Sequence, residues 1–348
     1  MDSETYYRLL REQNEGTLWK TISPDDPDYI PVDENDDDML RLLTVSAGLL
    51  DEQLAKASLI KTPVALYDKL WYEGEVCCLF APTNLGKSIF AVQIADHIAN
   101  TLQRRVLYCD FELSDKQFQM RYTSDDGSSV HSFGPRFFRA GITSGNVPEC
   151  IDHYIHDIRA QIKRYQTRIV VIDNLTWLCT EMENAQNAGY IMQRLLELKR
   201  DLGVSILIIA HTPKSAIGQT LTAASLAGST SIINFMNSAF AIGRDFSVPD
   251  NSGRYVKQIK VRMGSFDYTA DNVQLFTIDK QDDMLLFIPR GSGVEQNLLR
   301  HAETEGSDRQ RRVLIDRAKE LHASGKTQRE IAEELGIGKG TVHRYLSA

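Results

Sequence analysis

Apolar positions in the middle of the chain follow two alternating patterns. Short unbroken apolar runs, rich in β-branched and aromatic residues, occur at Val76–Phe80, Arg105–Cys109, Ile169–Ile172 and Ser205–Ile209. A run without polar alternation is how a strand buried on both faces of a parallel sheet reads. Between these runs the apolar spacing is helical, at Ser88–Leu102, Cys150–Tyr165 and Tyr190–Leu202. Strand and helix alternating from about Glu75 to Arg244 predict an α/β domain, its mostly parallel sheet covered by helices on both faces. From Tyr255 to Pro289 the pattern changes. YVKQIKVRM, VQLFTID and MLLFIP are separated by turn signals and predict antiparallel hairpins closing one end of the sheet.

The two ends read differently. Residues 1–20 are compatible with a short helix, and helical spacing resumes at Met39–Ala57. Between them, Pro24, Pro27 and Pro31 break any helix. At the other end, Arg309–Ala323 is helical, with Leu314, Ala318 and Leu321 on one face. Thr327-Gln328-Arg329-Glu330 reads as a capping box opening a second helix, with Ile331, Ala332 and Leu335 inward. Gly336 ends that helix, and Gly340–Leu346 forms a third with Val342 and Leu346 inward. The expected organisation is an acidic N-terminal region (1–60), an α/β core (61–290), a linker (291–308) and a small all-α unit (309–348).

The chemistry concentrates where the first buried strand ends. Ala81-Pro82-Thr83-Asn84-Leu85-Gly86-Lys87-Ser88 lies between that strand and an amphipathic helix, the strand–loop–helix order of a phosphate-binding loop. In such a loop, backbone N–H groups and the helix N-terminus face the phosphates. Gly86 allows close approach, Lys87 neutralises β- and γ-phosphate oxygens, and Ser88 offers a hydroxyl to Mg²⁺. Ala81 stands where the first glycine of the motif belongs. Asp173 closes the strand Ile169–Ile172, and an acid at the carboxyl edge of a parallel sheet faces the ligand crevice. It is the candidate second metal holder. Glu112 is the candidate general base, with Asp110 as the competing strand-end acid.

These motifs together resemble the ring-forming P-loop ATPases of the RecA/DnaB superfamily, most of all the RepA-like helicase ATPases, over roughly residues 65–290. The resemblance implies a RecA-like fold, ATP and Mg²⁺ as ligands, and a glutamate in a D-x-E-x-S-like segment as base, which falls on Glu112. It implies a γ-phosphate sensor at His211. It also implies a lysine and an arginine inserted into a neighbouring subunit's site, matched by Lys260 and Arg262. Strand alternation would put these two on one face, although an exposed edge strand blunted by basic residues has the same pattern. Residues 213–230, with Lys214, either line a ring channel touching single-stranded DNA or form a surface loop. By the same resemblance the protein is a DNA helicase or translocase acting as a hexameric ring in replication or mobilisation of a mobile element. The alternative is an ATP-switched DNA-binding regulator or initiation factor.

The C-terminal spacing resembles a helix-turn-helix of resolvases and sigma-like regulators. That places Lys339, Thr341, His343 and Arg344 outward, toward duplex DNA. A three-helix protein-binding module has the same pattern.

Net charge, −8, argues at first against a nucleic-acid partner, but eight acids lie in residues 25–38, and the remaining acids equal the 39 Lys and Arg. The tract reads as a solvated segment, or as a polyanion covering a basic groove. The five cysteines form no C-x-x-C pair. They read as buried hydrophobes in a reducing compartment, with no zinc site expected. No apolar run approaches the ~20 residues of a membrane span, and the polar N-terminus lacks a secretory pattern. A soluble, cytoplasmic protein is expected.

Overall fold

The computed structural model describes residues 48–141, 151–174, 185–212, 218–226, 230–299, 304–335 and 339–346. Outside them lie the expected helix in residues 1–20, the acidic tract, the start of the Met39–Ala57 helix, Lys214, Cys150, Cys179 and Gly336. The N-terminal unit, up to Pro63, contributes helix α1 (Leu50–Ser58), which buries none of its side chains and leaves Leu50 and Leu54 exposed.

The second unit begins with a small hairpin, β1 (Ala65–Tyr67) and β2 (Trp71–Tyr72), and continues into β3 (Val76–Ala81) and α2 (Lys87–Asn100). Next come β4 (Val106–Asp110), α3 (Asp115–Arg121), β5 (Phe137–Ala140), α4 (Ile151–Tyr165), β6 (Ile169–Asp173), α5 (Ala185–Leu202) and β7 (Ser205–His211). A short helix α6 (Thr230–Phe235) precedes β8 (Ser238–Arg244). The antiparallel strands β9 (Gly253–Lys260), β10 (Val273–Gln281) and β11 (Met284–Gly293) lead to the one-turn helix α7 (Glu295–Leu298). Three helices complete the chain: α8 (Thr304–Ala323), α9 (Gln328–Leu335) and α10 (Lys339–Leu346).

One nine-stranded sheet runs β11-β10-β9-β8-β3-β7-β6-β4-β5. From β8 to β5 every pairing is parallel, and β9, β10 and β11 extend it antiparallel. The unbroken apolar runs account for this. Successive side chains of a strand point to opposite faces, so Val76, Cys78 and Phe80 pack with Ile155 and Ile158 of α4 and Leu195 and Leu198 of α5. Cys77, Leu79 and Ala81 pack with Phe90, Ile94 and Ile98 of α2. The strand β8 and the edge strand β5 escaped the sequence reading.

A buried polar cluster fastens the antiparallel extension. Lys257 of β9 donates to Glu295 at 2.6 Å and to the Leu221 carbonyl at 2.9 Å. Glu295 also accepts from the Tyr255 hydroxyl and the Leu221 N–H, both at 3.0 Å. Each charge is paired and hydrogen-bonded, the condition under which burying an ion pair is tolerable.

The last three helices share a core of Ala318, Leu321, Ile331, Val342 and Tyr345. The expected capping box forms: Thr327 N–H donates to Glu330 at 2.8 Å, and Glu330 N–H reaches the Thr327 hydroxyl at 3.5 Å. Tyr345 joins this core beside the expected Leu346. No described helix is long and apolar enough to cross a membrane.

Candidate nucleotide site

Because β3, β4, β6, β7 and β8 run parallel, their carboxyl ends share one edge, where ligands bind in open α/β sheets. Ala81, Asp110, Asp173 and His211 each close one of these strands. Between them opens a cleft of ≈ 510 Å³ whose lining includes Thr83, Asn84, Gly86, Lys87 and Ser88. Glu112, Asp173 and His211 line it as well.

The loop's shape follows from its residues. Asn84 and Gly86 have φ of 65° and 91°, and Gly86 caps α2. A Cβ on Gly86 would stand 2.7 Å from Ile278 Cδ1 and 3.0 Å from Phe287 Cε2, so both the backbone angle and the space demand glycine there. Lys87 is 6 % exposed, and its Nζ donates to the carbonyls of Ala81 (3.0 Å) and Pro82 (3.1 Å). The alanine in the first motif position therefore helps hold the lysine through its backbone. Burial pushes the Lys87 ammonium down to about 8, against the pull of Asp173 and Glu112.

Asp173 is 2 % exposed. Its Oδ2 accepts from the Tyr108 hydroxyl at 2.6 Å, while among the described residues Oδ1 has no hydrogen-bond partner. Burial raises its carboxyl to about 6, against the hydroxyls of Tyr108 and Ser88. A buried carboxylate oxygen left unpartnered beside a serine hydroxyl is a donor set suited to a hard divalent cation.

Glu112 projects just beyond β4. The Asn174 amide donates to its Oε1, and His211 Nε2 lies 3.5 Å from the same oxygen and 3.1 Å from Asn174 Nδ2. The hydrogen bond from His211, aided by the Lys87 charge, holds the Glu112 carboxyl below its ordinary value despite partial burial. The competing acid, Asp110, is engaged at both oxygens. Oδ1 accepts the N–H groups of Glu112 (3.1 Å) and Leu113 (2.9 Å), and Oδ2 accepts from Arg139 Nε (3.0 Å) and Nη2 (2.9 Å). Asp110 thus shapes the turn that presents Glu112. The serine of the D-x-E-x-S segment, Ser114, caps α3 in a capping box with Gln117, and that helix carries Arg121 to the cleft.

One pair departs from expectation. Strand β9 ends at Lys260, which pairs with Ala239, next to the first residue of β8. Beyond it no neighbour continues the ladder, so Arg262 lies in an exposed bend and the alternation argument does not reach it. Lys260 Nζ is bound to the Ile233 carbonyl of its own chain at 2.7 Å. Neither residue lines the cleft of this chain. In the last helix Thr341 is half-buried and His343 exposed, whereas the side chains of Lys339 and Arg344 fall outside the described residues, as does Lys214. Sequence reasoning missed Asn174, Arg121, Arg254 and Ile278. Asn174 alone had a local signal, an amide directly after the strand-end aspartate.

A parallel sheet with a lysine-bearing phosphate loop after its central strand, and acids closing two further parallel strands, defines a RecA-like P-loop ATPase fold. Residues 40–216, just over half of the chain, match the family described as AAA domain, and the chain belongs to that family. Residues 305–348 match the helix-turn-helix domain of resolvase, so the last three helices form a resolvase-type unit. Among curated proteins the chain is similar to the DNA repair protein RAD51 homolog 4 of Mus musculus, with 22% identity over 192 residues. That stretch covers 50% of this chain and 58% of the relative, under two thirds of the relative's length.

Proposed function

We propose that the protein hydrolyses ATP with Mg²⁺ and couples the turnover to work on DNA. One observation carries the reading: Lys87 and Ser88 stand in the same cleft as Asp173, Glu112 and His211. In this reading the phosphates lie along the loop from Thr83 to Ser88. Ser88 and Asp173 hold the cation, which screens charge on the phosphate oxygens. Glu112, kept ionised, orients a water and takes its proton as the water's oxygen attacks the terminal phosphorus. The bond to the bridging oxygen then breaks, leaving ADP and phosphate. His211, in contact with Glu112, senses the terminal phosphate.

DNA enters through the resolvase-type tail, with Lys339, Thr341, His343 and Arg344 facing a duplex, and through the segment holding Lys214, facing a single strand. The name of the mouse relative points the same way. The protein assembles as a ring, hexameric by family resemblance, in which Lys260 and Arg262 reach a neighbour's cleft, and it acts as a helicase or translocase in the cytoplasm. The attachment of Lys260 to its own chain favours a second reading, an ATP-switched DNA-binding regulator without unwinding activity. ATP turnover with and without single-stranded DNA tests the enzyme, comparing wild type with Lys87→Ala, which should be inactive. Displacement of a strand from a forked duplex separates the motor from the switch. Loss of turnover in Arg262→Ala at unchanged nucleotide affinity would support the ring, and normal turnover would remove the inserted pair.

A further inference from the structure

Arg254 carries a charge that its own surroundings do not balance. It sits in β9, 8 % exposed, across the ladder from Arg244. Its Nε donates to the Leu85 carbonyl at 3.0 Å, and its Nη1 donates to the carbonyls of Asn251 (2.6 Å) and Gly253 (2.8 Å). These are backbone dipoles. Among the described residues no carboxylate pairs with it. Burial and the neighbouring Arg244 guanidinium both hold its pKa below the ordinary arginine value. A buried cation without an anion is costly, by several kcal/mol in general, and folds retain one where an anion arrives. Lys87 is built alike in part: it is buried, bonded to backbone carbonyls and lines the same cleft, although Asp173 and Glu112 already pull on its charge. For Lys87 the arriving anion is the phosphate chain, and the parallel extends to Arg254.

We propose that Arg254 is a second cation, supplied by the same chain, that binds the phosphate chain of the nucleotide from the β9 side of the loop. This rests on the reading of the cleft as a nucleoside triphosphate site. Lys87 approaches from the helix end and Arg254 from the antiparallel extension, so the loop backbone at Leu85 is held against a guanidinium that also faces the cleft. The extension thereby becomes part of the nucleotide site rather than a cover for the sheet edge. A planar guanidinium fastened through Nε and Nη1 arrives oriented for a phosphate oxygen.

The test is displacement of a fluorescent ATP analogue by ATP, ADP and AMP, for wild type, Arg254→Met, Arg254→Lys and Lys87→Met. A charge-assisted hydrogen bond predicts a loss in Arg254→Met of roughly 10- to 100-fold for ATP and ADP. Arg254→Lys should recover part of it, and AMP should be affected least. Wild-type affinity for ATP and ADP in Arg254→Met overturns the proposal, while Lys87→Met still reports on the site. A loss equal for AMP, ADP and ATP also overturns it, because that marks a residue that only holds the loop in shape. Should Arg254→Met fail to fold, Arg254→Lys decides: a several-fold loss for ATP with AMP unchanged supports the proposal, and no loss overturns it. If wild type binds none of the three nucleotides, the reading of the cleft fails first.

Discussion

Gly86→Ala isolates how much the phosphate loop depends on one missing side chain. Two costs add. The backbone there has φ of 91°, a left-handed angle that costs a residue with a Cβ about 1–2 kcal/mol. The new methyl would also lie 2.7 Å from Ile278 Cδ1 and 3.0 and 3.1 Å from the Phe287 ring. Such overpacking costs about 1–3 kcal/mol. Ile278 can rotate away at its tip, but Phe287 is 1 % exposed and wedged against Phe90 at 4.7 Å between ring centroids. The expected total is about 2–5 kcal/mol, a fall in unfolding temperature on the order of 10 °C for a domain of this size. Thermal unfolding of the nucleotide-free protein measures it. Adding Ile278→Ala removes the nearest contact but neither the ring contact nor the backbone cost, so the double variant should recover about 1 kcal/mol relative to the sum of the singles. Wild-type unfolding temperature in Gly86→Ala would refute both the loop conformation and its packing under β10 and β11.

Glu112→Gln keeps the shape but removes the proton acceptor. Turnover should fall about 10²- to 10⁴-fold at nearly unchanged ATP affinity, read by steady-state kinetics beside equilibrium binding. The lowered value of Lys87 gives a pH signature. With its ammonium titrating near 8 in the free protein, only the protonated form attracts phosphate. Affinity for ADP without metal should therefore fall above about 8, toward tenfold per pH unit, and this alkaline slope should vanish in Lys87→Ala. Ile331→Ala empties a fully buried position in the C-terminal core, costing about 2–5 kcal/mol. Gel-shift assays should then lose site-specific duplex binding while ATP turnover in the core persists, and a joint loss would mean that the tail and core fold as one.

Legibility followed the range of the interactions. The phosphate loop was readable because its chemistry is contiguous, from Ala81 to Ser88. Asp173 and His211 were readable because a buried strand ends at each, and parallel strands bring such ends to one edge. Arg254 and Ile278 were not, since they reach the cleft only through the antiparallel extension, whose register no local pattern encodes. The strand placement of Arg262 failed for a related reason: alternation sets a face only while a neighbouring strand is there to pair with, and Lys260 already pairs with Ala239, one residue from the start of β8. The role of Asp110 was hidden as well, because it depends on Arg139, which approaches from β5, an edge strand the sequence reading did not find. In the tail, capping box and apolar spacing are local and were readable, while Tyr345 was not among the residues read as inward.

The knot of Lys257, Glu295, Tyr255 and the Leu221 backbone has a mechanical consequence. Glu295 opens the short turn from which the chain departs toward its final three helices, and its carboxylate is the rivet holding that departure point to the sheet. Tension on the tail, such as a bound duplex would exert, is therefore borne first by β9, the strand that also carries Arg254 at its other end. The same rivet grips the stretch around Leu221 that follows His211 in sequence. A tug at the tail would thus reach the Arg254 side of the cleft through β9.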